Sequence, residues 1–568
     1  MKLRYTVLVL AIAPVVAVLT ACPPLPSGAS GSCVSPTVLA STIDTPTTLK
    51  AGCYETTSDV EVSAALTLLP GVSIEFAQDT EMDIVTNANS QPTGSLTAIG
   101  TTGAGNGIVL RGVNDSPGEW AGINVYTNNP KNHLEYVEIR DTGNQSYGNG
   151  AGIYVASGLP FTMKHTTIDY GQGVGLAFDA GTSAGDLQLQ ANTYDHLAGF
   201  PVSLPANAAG ALDPGSSYTN NATNAVEIFG GTVALAQEWA DLGAPYLVDQ
   251  SVSVTAPFKI AAGTQVQFAT DTYLDVNGTS GDTGTLSLVG TANQGISLIG
   301  AGSPAQTWGG INLNPGSVGD IEYATIRNAG GNGAALNAAI NVFSAVPLTL
   351  EHTVVDQSAS EGVAFDAGTV LTDLTFQANT YSNNASFPVS VTMDGAGALD
   401  PNSQYVNNTD NRVEVFGASL SHAQTWHHLG APYYVDGTPS IDAALTIDPA
   451  TTIQVDPGVT LDVGTGSLTA DGGSASTMIT FTTGVAGSTW NGIDFFTGND
   501  VLNYVVVEEA DSSGSGEVFT RMAGVQISNS TFQNSPDKAI CWDVNAQPTT
   551  SNDTYTAVDT TPTTGCLP

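Results

Sequence analysis

His422, His427 and His428 form the only local histidine cluster in the chain. Imidazoles this close together could hold zinc or copper. However, the HxxxxHH spacing matches no standard ligand pattern. The equivalent positions of an earlier copy of the segment are Leu235, Ala240 and Asp241. We expect no metal site; were one present, these histidines would be its ligands. Trp120, Trp308 and Trp490 each open a W-x-G-I motif and are candidates for stacking on sugars, with packing against a neighbouring layer as the alternative. Glycoside hydrolysis needs two carboxyls about 5–9 Å apart. Asp179, Asp366 and Asp543 each follow an aromatic residue and read as turn residues. Asp169 and Asp195 are a pair that could approach one another. GxSxG, HExxH and phosphate-cradling glycine motifs are absent from the sequence. No catalytic residue is assigned on this reading.

The other polar residues with regular spacing read as parts of a scaffold. Arg140 and Arg327 occupy equivalent positions, and Asp169 and Asp356 follow in the same column one layer later. Lateral ion pairs are expected there, with Glu508 and Gln533 as the third version and Glu135 beside Lys164 as a similar case. His165 and His352 share a column with Tyr136, Tyr323 and Asn529. The alternation predicts that this column points inward, with buried, hydrogen-bonded histidines.

These columns come from repeats at two scales. LAFDAG at 176–181 returns as VAFDAG at 363–368, QANTY at 190–194 returns at 377–381, and GALDP at 210–214 returns at 397–401. LGAPYLVDQ at 242–250 returns as LGAPYYVDG at 429–437, which we read as a structural corner followed by a strand. Each displacement is 187 residues. Inside each long repeat lies a shorter one of about 23–30 residues. Leu134, Met163 and Leu189 align, as do Ile139, Ile168 and Tyr194. The second copy gives Ile321, Leu350 and Phe376, then Ile326, Val355 and Tyr381. The third gives Leu502 with Ile527 and Val507 with Phe532. A unit that short cannot bury its apolar side alone, but a stack of such units can.

The rung-like stretch ISNSTFQNSPDKAI at 527–540, with PGVSIEF, GSLTAIGT and the W-x-G-I motifs, resembles the right-handed parallel β-helix repeat proteins of the pectate-lyase-like superfamily. The resemblance covers nearly all of the chain after its first segment. It implies an all-β fold: a right-handed parallel β-helix solenoid in three tandem modules of about 187 residues, at 33–232, 233–420 and a shortened 421–568. About seven rungs per module would hold equivalent residues about 34 Å apart. The scaffold is shared by lyases, hydrolases and adhesins, so it does not fix an activity.

The start of the chain resembles a bacterial lipoprotein leader. Lys2 and Arg4 precede an apolar run at 6–19, and LTAC ends at Cys22. The resemblance implies a signal peptide at 1–21, lipid on Cys22, a flexible tether at 22–32, and export to the outer membrane or cell surface. Four more cysteines lie near the two ends, and we expect disulfides Cys33–Cys53 and Cys541–Cys566. The 12 basic residues stand against 52 acidic ones, a net charge of −40. Such a surface repels nucleic acid and polyuronates. Solvation explains it. Calcium is the one cofactor it would invite, although no DxDxDG loop or GGxGxD repeat is present. The expected partners are the membrane, through the lipid, and polysaccharide or cell-surface glycans. The reading is a structural, adhesive or glycan-contacting rod; the alternative is a lyase or hydrolase acting on a neutral polysaccharide.

Overall fold

The chain is poor in helix formers, and its strands are two to five residues long, divided by bends at which single residues take a left-handed backbone. The computed structural model describes residues 35–567 except 104, 145, 147, 279–280, 282–283, 303–306, 333–335, 418, 512–514 and 560–564. Cys22, Cys33, the leader and the tether lie outside the described residues. One bend column is formed by Tyr136, His165 and Ala191, with φ of 53°, 48° and 49°. Tyr323, His352 and Ala378 repeat it at 49°, 49° and 51°. At these left-handed bends the Tyr and His side chains turn out of the core and are only partly buried, which corrects the inward assignment of this column. The histidines are half-exposed. Each stacks on the ring of the coil below: Tyr136 on His165 at 4.8 Å and Tyr323 on His352 at 4.6 Å. The stacking helps to offset a backbone cost of about 1 kcal/mol per residue.

Successive strands pair in parallel with the strand one coil later, building a parallel β-helix. An 8-stranded sheet runs from Thr37–Val38 to Ser217–Thr219, a 6-stranded sheet from Thr47–Leu49 to Leu187–Gln190, and a 15-stranded sheet from Thr42–Ile43 to Gln404–Val406. A 14-stranded sheet then runs from Gly231–Val233 to Thr554–Thr556, accompanied by sheets of 6, 7 and 6 strands. The register agrees with the columns read from the sequence: Leu134 pairs Met163, Met163 pairs Leu189, Ile326 pairs Val355, and Leu502 pairs Ile527. The last strand, Cys566–Leu567, turns back antiparallel on Ile540–Trp542, and the Cys541–Cys566 disulfide pins it there.

Hydrogen bonding is unbroken from one copy of the long repeat to the next. Val226 pairs Tyr246, and Val413 pairs Tyr433. These pairings carry a change of face. Tyr246 is the counterpart of Tyr54, which belongs to the 8-stranded sheet, yet Tyr246 belongs to the 15-stranded one. The 3-10 segment Ala206–Ala211 replaces one strand. With it counted as a side, the long repeat is seven full coils plus one side of the next. Equivalent residues are therefore about 35 Å apart along the axis and also on adjacent faces.

The core is continuous. Trp120, Trp308 and Trp490 have no exposed surface. Phe76 stacks on Trp120 at 3.8 Å and Phe268 on Trp308 at 4.0 Å. Their indole N–H groups donate to the carbonyls of Arg140, Arg327 and Glu508. The sugar-stacking assignment is thus corrected: these rings are core and hold neighbouring coils together.

One buried carboxyl breaks the pattern. Glu517 has no exposed surface, and neither side-chain oxygen has a hydrogen-bond partner among the described residues. Ser535, beside it, donates to the Ala510 carbonyl. Burial pushes the Glu517 pKa up to about 9 from 4.5. A carboxyl that binds its proton more tightly when folded contributes fully below its unfolded pKa, and that contribution is lost as pH rises toward the folded value. Stability against urea should therefore fall between about pH 5 and pH 9, and Glu517→Gln should flatten that fall. An equally steep decline in the variant would exclude Glu517 as its source.

Candidate functional site

The strand Glu81–Ile84 places Glu81 and Asp83 on its outward side, two residues apart. One coil later, Asp83 is in register with Asn124 on Gly122–Val125. One coil further, Asn124 is in register with Tyr154 on Ala151–Val155. Tyr126 follows directly after Asn124's strand. Asn124 is only 4 % exposed. Its amide nitrogen donates to Glu81 Oε2 at 3.0 Å and to Asp83 Oδ1 at 2.8 Å. Its amide oxygen accepts from Asn149 at 2.8 Å, and Asn149 also donates to the Tyr126 hydroxyl at 3.0 Å. Tyr126 is 42 % exposed, and its ring centroid lies 6.0 Å from that of Tyr154. The patch therefore combines two carboxylates, two amides and two tilted phenol rings.

Its electrostatics follow from crowding. Burial pushes the Glu81 carboxyl up, and the charges of Asp83 and Asp59 add to this, while the Asn124 amide opposes them. Burial likewise raises Asp83, helped by Asp59 and Glu61. Burial also raises the Tyr126 phenol, so it remains a neutral hydroxyl.

The other copies of this position differ. In the second, Asp275, Asn312 and Asn341 fill the column, and Tyr273 stands where the first has Glu81. Asn314 replaces Tyr126 and donates to Asp275 at 2.8 Å. In the third, Asp462, Asp494 and Phe519 fill the column. Arg521 binds Asp494 there and covers the rings of Phe496 and Phe519. Among the three copies, the first alone leaves a carboxylate pair beside two tyrosines. A separate cavity of about 470 Å³, lined by Asp320, Glu322, Thr349, Asp373 and Thr375, offers no aromatic ring.

The residues singled out in the sequence are dispersed. His422 contacts Asp394 at 3.2 Å and His427 contacts Asp448 at 2.8 Å. His428 is exposed. The three do not converge, and among the described residues no group of three or more metal-binding side chains forms. Arg140 meets Asp169 at 3.3 Å and Arg327 meets Asp356 at 2.8 Å, as lateral ion pairs. Gln533 donates to Glu508 at 2.8 Å. Asp169 and Asp195 are register neighbours, and burial pushes Asp169 up to about 7 against the pull of Arg140. Asp195 is held by His196, Thr219 and Asn220. Asp179, Asp366 and Asp543 close turns through their carbonyls. Cys53 lies on Gly52–Glu55, and its expected partner Cys33 is outside the described residues. No protein-family model matches this chain, and no curated protein is similar to it at a significant level.

Asn124 is the link between the two carboxylates. Asn124→Leu, similar in size, should lower stability by about 1–3 kcal/mol at pH 7. Most of that loss should be recovered near pH 4, where the carboxyls are protonated. Urea midpoints at the two pH values measure it, and an equal loss at both would contradict the linking role.

Proposed function

We propose that this chain is an exported, lipid-anchored rod that contacts neutral glycans through the patch around Tyr126 and Tyr154. The exposed Tyr126 ring, beside the half-buried Tyr154, carries the reading. An aromatic ring beside planar amides and carboxylates suits a sugar, whose C–H face packs on the ring while its hydroxyls meet the polar groups. The net charge of −40 argues against polyuronates, nucleic acid and anionic lipid as ligands. The likeness to bacterial lipoproteins of the pectate-lyase-like β-helix group, drawn from LTAC and the rung motifs, supports surface display. The lipid on Cys22 would fix one end at the outer membrane, and the patch would lie on the third to fifth coils from that end. Calcium could neutralise part of the acidic surface; no step of glycan contact requires it.

On an array of neutral glycans, the purified full chain should bind, and Tyr126→Ala with Tyr154→Ala should weaken binding at least tenfold without lowering the melting temperature by more than a few degrees. Unchanged binding by the double variant would contradict this site. In cells, Cys22→Ala should move the chain from the membrane fraction to the soluble fraction. Membrane retention of that variant would contradict the lipid anchor.

A further inference from the structure

The third copy of the patch keeps an aromatic pair. Phe496 and Phe519 stand where the first copy has Tyr126 and Tyr154, and Asp494 stands where it has Asn124. Phe496 is 44 % exposed and Phe519 is half-buried. The inner side of these coils is already filled by Ile493, Phe495 and Val518, so the two outward rings add nothing to the core. What differs from the first copy is the group that lies on them. The Arg521 guanidinium carbon is 4.6 Å from the centre of the Phe496 ring and 4.9 Å from that of Phe519. Asp494 holds it there, accepting from Nε at 3.0 Å and from Nη2 at 2.6 Å. The Asp494 side chain is 14 % exposed and that of Arg521 is 41 % exposed. The remaining nitrogen, Nη1, is 3.9 Å from Asp543, beyond hydrogen-bond reach. The arm is therefore latched at one carboxylate. The scaffold does not require it, because the matching position is Ala156 in the first copy and Phe343 in the second.

We infer that the third copy is a second glycan site closed by Arg521, whose guanidinium occupies the ring faces that a neutral sugar would pack against. The inference rests on the glycan-contacting reading of the first patch. Asp494 is the latch. An exposed ion pair and a cation over a ring are each weak contacts, so a single substitution suffices to release the arm. Once it swings away, Asp494 and its register neighbour Asp462 accept from sugar hydroxyls. A sugar that must displace the arm binds more weakly by the fraction of time the rings are free. Rings open about one-tenth of the time weaken binding about tenfold. The closed and open sites are two long repeats apart, about 70 Å along the axis, and act independently.

The test starts from the purified full chain carrying Tyr126→Ala and Tyr154→Ala, so that the first patch is silent. The probes are immobilised xylan, laminarin, mannan and starch. Adding Arg521→Ala, which restores the residue type of the first copy, should raise binding to at least one probe at least tenfold. Adding Phe496→Ala to that chain should abolish the gain. Because bared phenylalanines could promote aggregation, Asp494→Asn is the second variant. It keeps Arg521, releases the latch, and should also raise binding. No gain from either substitution, or a gain that survives Phe496→Ala, would overturn the inference. If the unaltered chain still binds a probe, that failure leaves glycan contact at Tyr126 and Tyr154 standing. Absence of binding to every probe by every form, the unaltered chain included, would overturn both. A gain with Arg521→Ala while the unaltered chain binds nothing would support the closed site and overturn the open one.

Discussion

The structure depends on parallel backbone hydrogen bonding between each coil and the next. A strand of three to five residues has too little apolar surface to be stable alone. Paired above and below with strands of the same pattern, its N–H and C=O groups are satisfied and its inward residues meet like residues. Val, Ile, Leu and the stacked Phe–Trp pairs fill one continuous interior. What is left for each coil to vary is its outward side chains and its bends.

That division explains where specificity can reside. The long repeat closes after seven coils and one further side, so matching positions from successive copies look out in different directions. A ligand at one copy cannot touch its counterpart. Each outward patch is free to diverge, and the three counterparts of the tyrosine patch have done so. The first presents two tyrosine rings, the second has Asn314 and Asn341 in their place, and the third is covered by Arg521. The seams diverge too. At the second, Arg412 binds Asp410 and the Gly484 carbonyl and lies over the Tyr434 ring, whereas the first seam has Ala225 and Leu247 at the matching positions.

Much of this was legible in the sequence, because period and alternation are set by the core. The columns through Leu134 and Ile139 and the Arg–Asp pairs follow from residues that recur, and the C-terminal disulfide from two cysteines close together near the end of the chain. The tyrosine patch does not recur, and its partners are separated by coils of unequal length: Asp83 and Asn124 are register neighbours 41 residues apart. Comparing the copies for differences rather than for matches would have exposed Glu81, Tyr126 and Tyr154. The tryptophans misled for the opposite reason. Their recurrence marked them as core, and the chemistry of the ring suggested a surface. The inward assignment of His165 and His352 failed because alternation stops at a left-handed bend.

The most direct measurement of the coiled architecture is the distance between two matched, exposed residues. Thr219 and Val406 are such a pair, on different sheets. With spin labels on Thr219→Cys and Val406→Cys, pulsed electron resonance should give one narrow distance near 40 Å, from about 35 Å along the axis combined with the shift of face. A distance under about 20 Å, or a broad spread, would contradict a single stack of coils.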